Sequence, residues 1–183
     1  MASTDQVTRA EEYWRQAPLD SLIERLLRDH QSWRVKDFPM IEYLFDRLED
    51  TSGPNQPTCL VSLRRAFYRL RGEMEGHMSR EENVLFPAII DAQRQMGEGL
   101  PAPKSAFGSM QNPISILEDD HEHDERLLAA IRAAAHGYQA PETADENVRI
   151  LFRELQALEA AMHAHTHLES SILFARALKV RGR

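Results

Sequence analysis

His165-Thr166-His167-Leu168-Glu169-Ser170-Ser171-Ile172-Leu173-Phe174-Ala175 aligns without a gap on His77-Met78-Ser79-Arg80-Glu81-Glu82-Asn83-Val84-Leu85-Phe86-Pro87. Each copy reads His, three residues, Glu, then an apolar run through Leu-Phe. Four residues are about 6 Å of an α-helix, so both polar groups point to one side of it. Upstream, the same face continues as an apolar seam at spacings of three and four. It is Leu63, Phe67, Leu70, Met74 before His77, and Leu155, Leu158, Met162 before His165. A seam of this kind faces the core of a helical bundle. Two core faces therefore each carry a histidine and a glutamate where apolar residues belong.

Two further seams carry one histidine each. One runs Ile23, Leu26, His30, Trp33, Asp37, Met40, Leu44; the other runs Ile114, Leu117, His121, then Asp124 or Glu125, Leu128, Ile131. Asp29-His30 stands 47 residues before its HxxxE, and Asp120-His121 stands 44 before its own. The chain thus reads as a duplicated helix pair. Each copy offers one histidine from its first helix and a His–Glu pair from its second.

Burying an ionised carboxylate costs several kcal/mol unless it is paired or binds a cation. No Lys or Arg occupies the seam positions to pair with Glu81 or Glu169. One histidine on an apolar face is ordinarily a satisfied core residue. Six seam positions in a gap-free repeat point instead to metal, with His30, His77, Glu81, His121, His165 and Glu169 as ligands. Two facing copies give two nitrogens per ion for two ions, with each glutamate able to bridge. Imidazole and carboxylate together suit iron, manganese or zinc, and bridging carboxylates suit a pair of ions. Structural zinc prefers thiolates, and Cys59 is the only cysteine. Two histidines, two glutamate oxygens and a solvent-derived oxo or hydroxo bridge leave an iron room for one small exogenous ligand. Two iron ions are the first choice.

The rest of the chain agrees with an all-α, up-down-up-down four-helix bundle. Gly/Pro clusters at 51–57, 97–113 and 137–141 punctuate four segments, about 19–50, 57–96, 113–136 and 143–179, rich in helix formers. No segment alternates with period two, so no strands are expected. Ser21 with Glu24 reads as a capping box, and Asn112-Pro113 as an N-cap and first helical position. Gly137 reads as the residue closing the third segment. Pro39 and Pro87 should each kink or divide a helix. Residues 1–17 form an N-terminal extension with a short helix, Thr8 to Gln16, whose Tyr13 and Trp14 pack on the outside; residues 18–183 form the bundle.

At 183 residues, 42% apolar and 28% charged, the composition is that of a folded globular chain. Net charge is −7, from 29 acidic and 22 basic residues, which argues against nucleic acid as a partner. Apolar stretches are too short to cross a membrane, and the first 17 residues have no secretory apolar core. A cytoplasmic location is expected.

These motifs resemble the hemerythrin-like (HHE) family, and within it the di-iron proteins that repair iron–sulphur clusters. The matching pieces are HxxxEExxLFP at His77, Pro113-Ile114-Ser115-Ile116-Leu117-Glu118-Asp119-Asp120-His121, and His165-Thr166-His167-Leu168-Glu169 with its Leu173-Phe174. The resemblance spans about residues 18 to 178. It implies that His30, His77, His121 and His165 are terminal iron ligands and that Glu81 and Glu169 bridge. It also implies a small diatomic ligand, oxygen or nitric oxide, damaged iron–sulphur proteins as partners, and a role in nitrosative or oxidative stress. The alternative it leaves is a module that binds or senses oxygen, nitric oxide or iron reversibly, without turnover. That branch usually has a small cysteine-bearing N-terminal domain with no counterpart in these residues. Oxygen-carrying hemerythrins have a histidine and an aspartate where this chain has Glu125 and Ser170.

Smaller signals remain. His163 and His167, themselves four apart, are alternatives to His165, which the repeat favours. His123 and His136 read as surface residues. Asp29 and Asp120 are candidates to orient the histidines that follow them. Glu118, Asp119 and Asp120 read as favourable charge near a helix N-terminus. Glu125 reads either as an acid beside the metal or its channel, or as a solvated helix-face residue.

Overall fold

The computed structural model describes residues 4–52, 58–98 and 110–179. Residues 53–57 and 99–109, parts of the expected turns and linker, and residues 1–3 and 180–183 lie outside the described residues. Among the described residues eight α-helices follow in order: α1 Thr4–Gln16, α2 Leu19–Ser32, α3 Phe38–Ser52, α4 Thr58–Arg80, α5 Phe86–Gly97, α6 Gln111–Ala134, α7 Glu146–Leu168 and α8 Ala175–Ala177. There is no strand among the described residues. The fold class read from the sequence, all-α helices with core-facing seams, is the one observed.

Helix starts differ by a residue or two from the capping signals. α2 begins at Leu19, before Ser21, whose backbone N–H donates to Asp20 Oδ1 at 2.7 Å. α6 begins at Gln111, so Pro113 lies in its first turn, where a missing N–H costs nothing. Glu118–Asp120 consequently sit two turns inside α6. A dipole effect confined to the first turn no longer accounts for them. Past α6, Gly137 takes φ +66°, flanked by His136 at +51° and Tyr138 at +64°. A glycine adopts this left-handed turn without steric cost; its neighbours do so under strain.

Among the described residues three π-helical turns interrupt the long helices, at Trp33–Asp37, Glu81–Leu85 and Glu169–Phe174. In the first two the closing amide bonds five residues back, Phe38 N–H to Trp33 O and Phe86 N–H to Glu81 O. Each is followed by one of the expected kinking prolines, Pro39 or Pro87. Proline cannot bond to the carbonyl four residues back and its ring clashes with it, so a wider turn before it relieves the helix. The third π-turn is followed by Ala175 and Arg176, so proline is not required for it.

An extra residue per turn moves the inward face by one position. The seam expected Asp37 and Met40 inside; instead Phe38 and Ile41 are buried and Met40 is 46% exposed. After Glu81 it expected Val84; Leu85 is fully buried in its place. Both slips start where a π-turn starts.

Contacts divide the chain into two compact units, with the divisions at Asp29/His30, His77/Met78, Asp119/Asp120 and His163/Ala164, each inside a helix. The first unit holds the described residues within 1–29, 78–119 and 164–183. Its core includes Leu22, Ile23, Leu26, Leu85, Phe86, Ile89, Leu117, Leu173 and Phe174, with Trp14 of α1 packed against it. Arg176 Nη1 donates to the Trp14 carbonyl at 2.9 Å. Tyr13 does not join this packing and is 60% exposed. The second unit holds the described residues within 30–77 and 120–163. Phe67, wholly buried, stands 6.2 Å from Phe38 edge-on and 5.7 Å from Phe45, ring to ring. Burying each such side chain is worth about 1.5–3 kcal/mol. Arg132 Nε donates to the buried Glu159 at 2.8 Å. Among the described residues no helix is long and apolar enough to cross a membrane.

Candidate metal centre

Within the first unit, Glu81 and Glu169 are each the first residue of a π-turn, and each is wholly buried. His165, one turn before Glu169, is 2% exposed and its Nε2 lies 3.0 Å from Glu169 Oε1. Its other ring nitrogen, Nδ1, lies 3.2 Å from Asp29 Oδ2. Asp29 is paired in turn with Arg25, one turn earlier on α2. Burial, the largest influence on His165, disfavours its charged form. The carboxylates of Glu169, Asp29 and Glu81 outweigh it and lift the imidazole to about 9. Burial likewise raises Asp29, but hydrogen bonds to His165 and Arg25 carry its carboxyl below the usual value.

Within the second unit, His30 is fully buried beside Trp33, with ring centroids 5.9 Å apart. His77 is 2% exposed, and its Nδ1 lies 3.7 Å from Asp120 Oδ2. The His77 and His121 rings stand 4.8 Å apart. His121 is half-buried. Between the two acids the seam left open, the structure buries Asp124 and leaves Glu125 exposed. Burial pushes Asp124 up to about 6, against the pull of His77 and His121.

Single donor atoms of His30, Glu81, His165 and Glu169 all lie within 4.8 Å of one another, and so do those of His77, His121 and Glu169. All six residues expected from the sequence are thus brought into one of two groups, and Glu169 belongs to both. The histidines pair across the duplication. Each group takes one histidine from each copy, His30 and His165 in one and His77 and His121 in the other.

The donor chemistry fits a metal. Each group offers two imidazole nitrogens and at least one carboxylate oxygen in a nearly dry setting, where clustered carboxylates need a cation beside them. Neither group contains a thiolate.

The other histidines lie elsewhere. His163 is exposed and pairs with Glu125 at 2.6 Å; His167 is exposed and pairs with Glu11 at 2.8 Å. Glu125 therefore takes the solvated option. His136 is exposed, whereas His123 is half-buried, 3.9 Å from Glu73. The two aspartates are where the sequence reading needs correcting. Asp29 turns toward His165 and Asp120 toward His77, in each case a histidine other than the one that follows it in sequence. Successive helical residues point about 100° apart, so a side chain does not face the residue next to it.

The chain belongs to the hemerythrin family, matching its HHE cation binding domain over residues 21–177. It is similar to the iron-sulfur cluster repair protein YtfE of Pectobacterium carotovorum subsp. carotovorum (strain PC1), with 27% identity over 166 residues, covering 91% of this chain and 69% of that protein. It is likewise 27% identical over 168 residues to the protein of that name from Yersinia pseudotuberculosis serotype O:1b (strain IP 31758), covering 92% and 70%. The same values hold for Yersinia pestis (strain Pestoides F).

Proposed function

We propose that this chain is a non-haem di-iron protein of iron–sulphur cluster repair that binds or reacts with nitric oxide or oxygen under nitrosative or oxidative stress. The observation that carries this reading is the pair of donor groups sharing Glu169. His30 and His165 would hold one ion and His77 and His121 the other. Glu169, common to both groups, would bridge the two ions, and Glu81, which belongs to one group, would be the second bridging carboxylate that the repeat implies. Iron bound there supplies one-electron chemistry and a position for a diatomic ligand. The chain's own part is to fix the donors on rigid helices and keep bulk water out. The names of its relatives support the repair role, and damaged iron–sulphur proteins are the partners this implies.

The test starts from metal-stripped protein loaded with ferrous iron without oxygen. It is mixed with nitric oxide or oxygen, and separately with a protein whose iron–sulphur cluster has been damaged. Iron transfer with return of the client's cluster supports repair. A reversible gas adduct with no recovery of the cluster would replace it with a binding or sensing role.

A further inference from the structure

We infer that Asp29 and Asp120 are positioning residues of the metal centre. Each Asp-His dipeptide gives one metal position a ligand and sets a carboxylate beside that position's second histidine, at hydrogen-bond distance for Asp29 and at ion-pair distance for Asp120. Asp29-His30 supplies His30 to the group containing His165, and Asp29 Oδ2 is 3.2 Å from His165 Nδ1. Asp120-His121 supplies His121 to the group containing His77, and Asp120 Oδ2 is 3.7 Å from His77 Nδ1. The same crossed arrangement occurs in both copies of the repeat, which one chance contact would not produce.

The chemistry gives the arrangement a purpose. An imidazole that donates Nδ1–H to a carboxylate is fixed in tautomer and ring plane, so Nε2 presents its lone pair. In His165 it is Nε2 that faces Glu169. Arg25, one turn earlier on α2, also pairs with Asp29, so the carboxylate that faces His165 is held from a second side. At 3.2 Å the Asp29 contact is within hydrogen-bond reach, whereas 3.7 Å at Asp120 is an ion-pair distance. Asp29 should hold its histidine the harder of the two.

The inference rests on the two-ion reading, and the experiment separates them. Wild type, D29A, D29N and D120A, all full-length, are loaded with ferrous iron without oxygen. Ions per chain and the rate of release to an excess of chelator are measured. Removing such an acceptor typically weakens a site 10- to 100-fold. D29A should keep two ions but release one at least about tenfold faster. D29N, which keeps an acceptor oxygen, should fall between D29A and wild type. D120A should speed release of an ion by a smaller factor. A merely structural Asp29 would lower the melting temperature of the metal-free protein and leave release of both ions alike. Should D29A fail to fold, D29N with wild-type release would overturn the inference. So would a folded D29A that matches wild type. A wild type that takes up no ions overturns the two-ion reading and the inference with it.

Discussion

Glu169 Oε1 stands 3.0 Å from His165 Nε2, at the point where α7 gives way to a π-turn. Glu169 is also the one residue common to both donor groups, whereas Glu81 occurs in one. Losing Glu169 should therefore damage both metal positions. E169A is expected to hold less than one ion per chain and E81A about one, with helix content unchanged in both. Metal analysis beside far-ultraviolet circular dichroism checks this. Equal loss in the two variants would contradict the unequal sharing.

His163 and His167 carry the same residue type within two positions of His165, yet both are exposed and paired at the surface. H163A and H167A should keep the wild-type ion count, and exposed pairs of this kind are worth about 0–1 kcal/mol. Ion counts and urea unfolding of the two variants against H165A decide the matter. H165A should lose metal where the others do not.

The seams were legible because one side of each helix must be apolar and the polar intrusions recur at matching places in both halves. His30, His77, His165, Glu81 and Glu169 are all buried on those seams, as the pattern required. The pattern failed at Asp37, Met40 and Val84. A fixed spacing assumes one kind of helix, and a π-turn inserts a residue that the spacing cannot see. Pro39 and Pro87 announced a disturbance without saying that it would widen the turn. The Asp29–His165 contact joins residues 136 apart and leaves no trace in local sequence. The duplication alone hinted at it, by placing an aspartate before each lone histidine.

The third π-turn bears on what proline does in the other two. Ala175 occupies the place that Pro87 takes in the first copy, and the wide turn is present all the same. Its amide bonds to the Ile172 carbonyl, so A175P removes that one bond. The cost should be about 1 kcal/mol, well short of the ~3 kcal/mol of a proline inside a regular α-helix. Chemical denaturation of A175P would show this, and a loss near the larger figure would mean that the turn depends on the Ala175 amide.

Asp124 gives a pH dependence of defined sign in the metal-free protein. Burial raises its carboxyl from 3.8 to about 6, with His77 and His121 opposing. The folded state therefore favours the protonated acid. Its contribution to stability is complete below about pH 4 and is lost as pH rises through about 6. D124N should gain stability relative to wild type between pH 4 and 7 and then hold that gain. Urea unfolding of chelator-treated proteins across this range measures the difference. A gap that stays constant with pH would contradict the assignment.

The most direct measurement is the number of iron ions held by the purified chain after stripping and anaerobic reloading, with thermal unfolding recorded before and after. Two ions per chain are expected, with a clear rise in melting temperature, since a ligand bound only by the folded state stabilises it. A protein that holds fewer than one ion and melts at the same temperature with and without iron would contradict a metal centre built from His30, His77, Glu81, His121, His165 and Glu169.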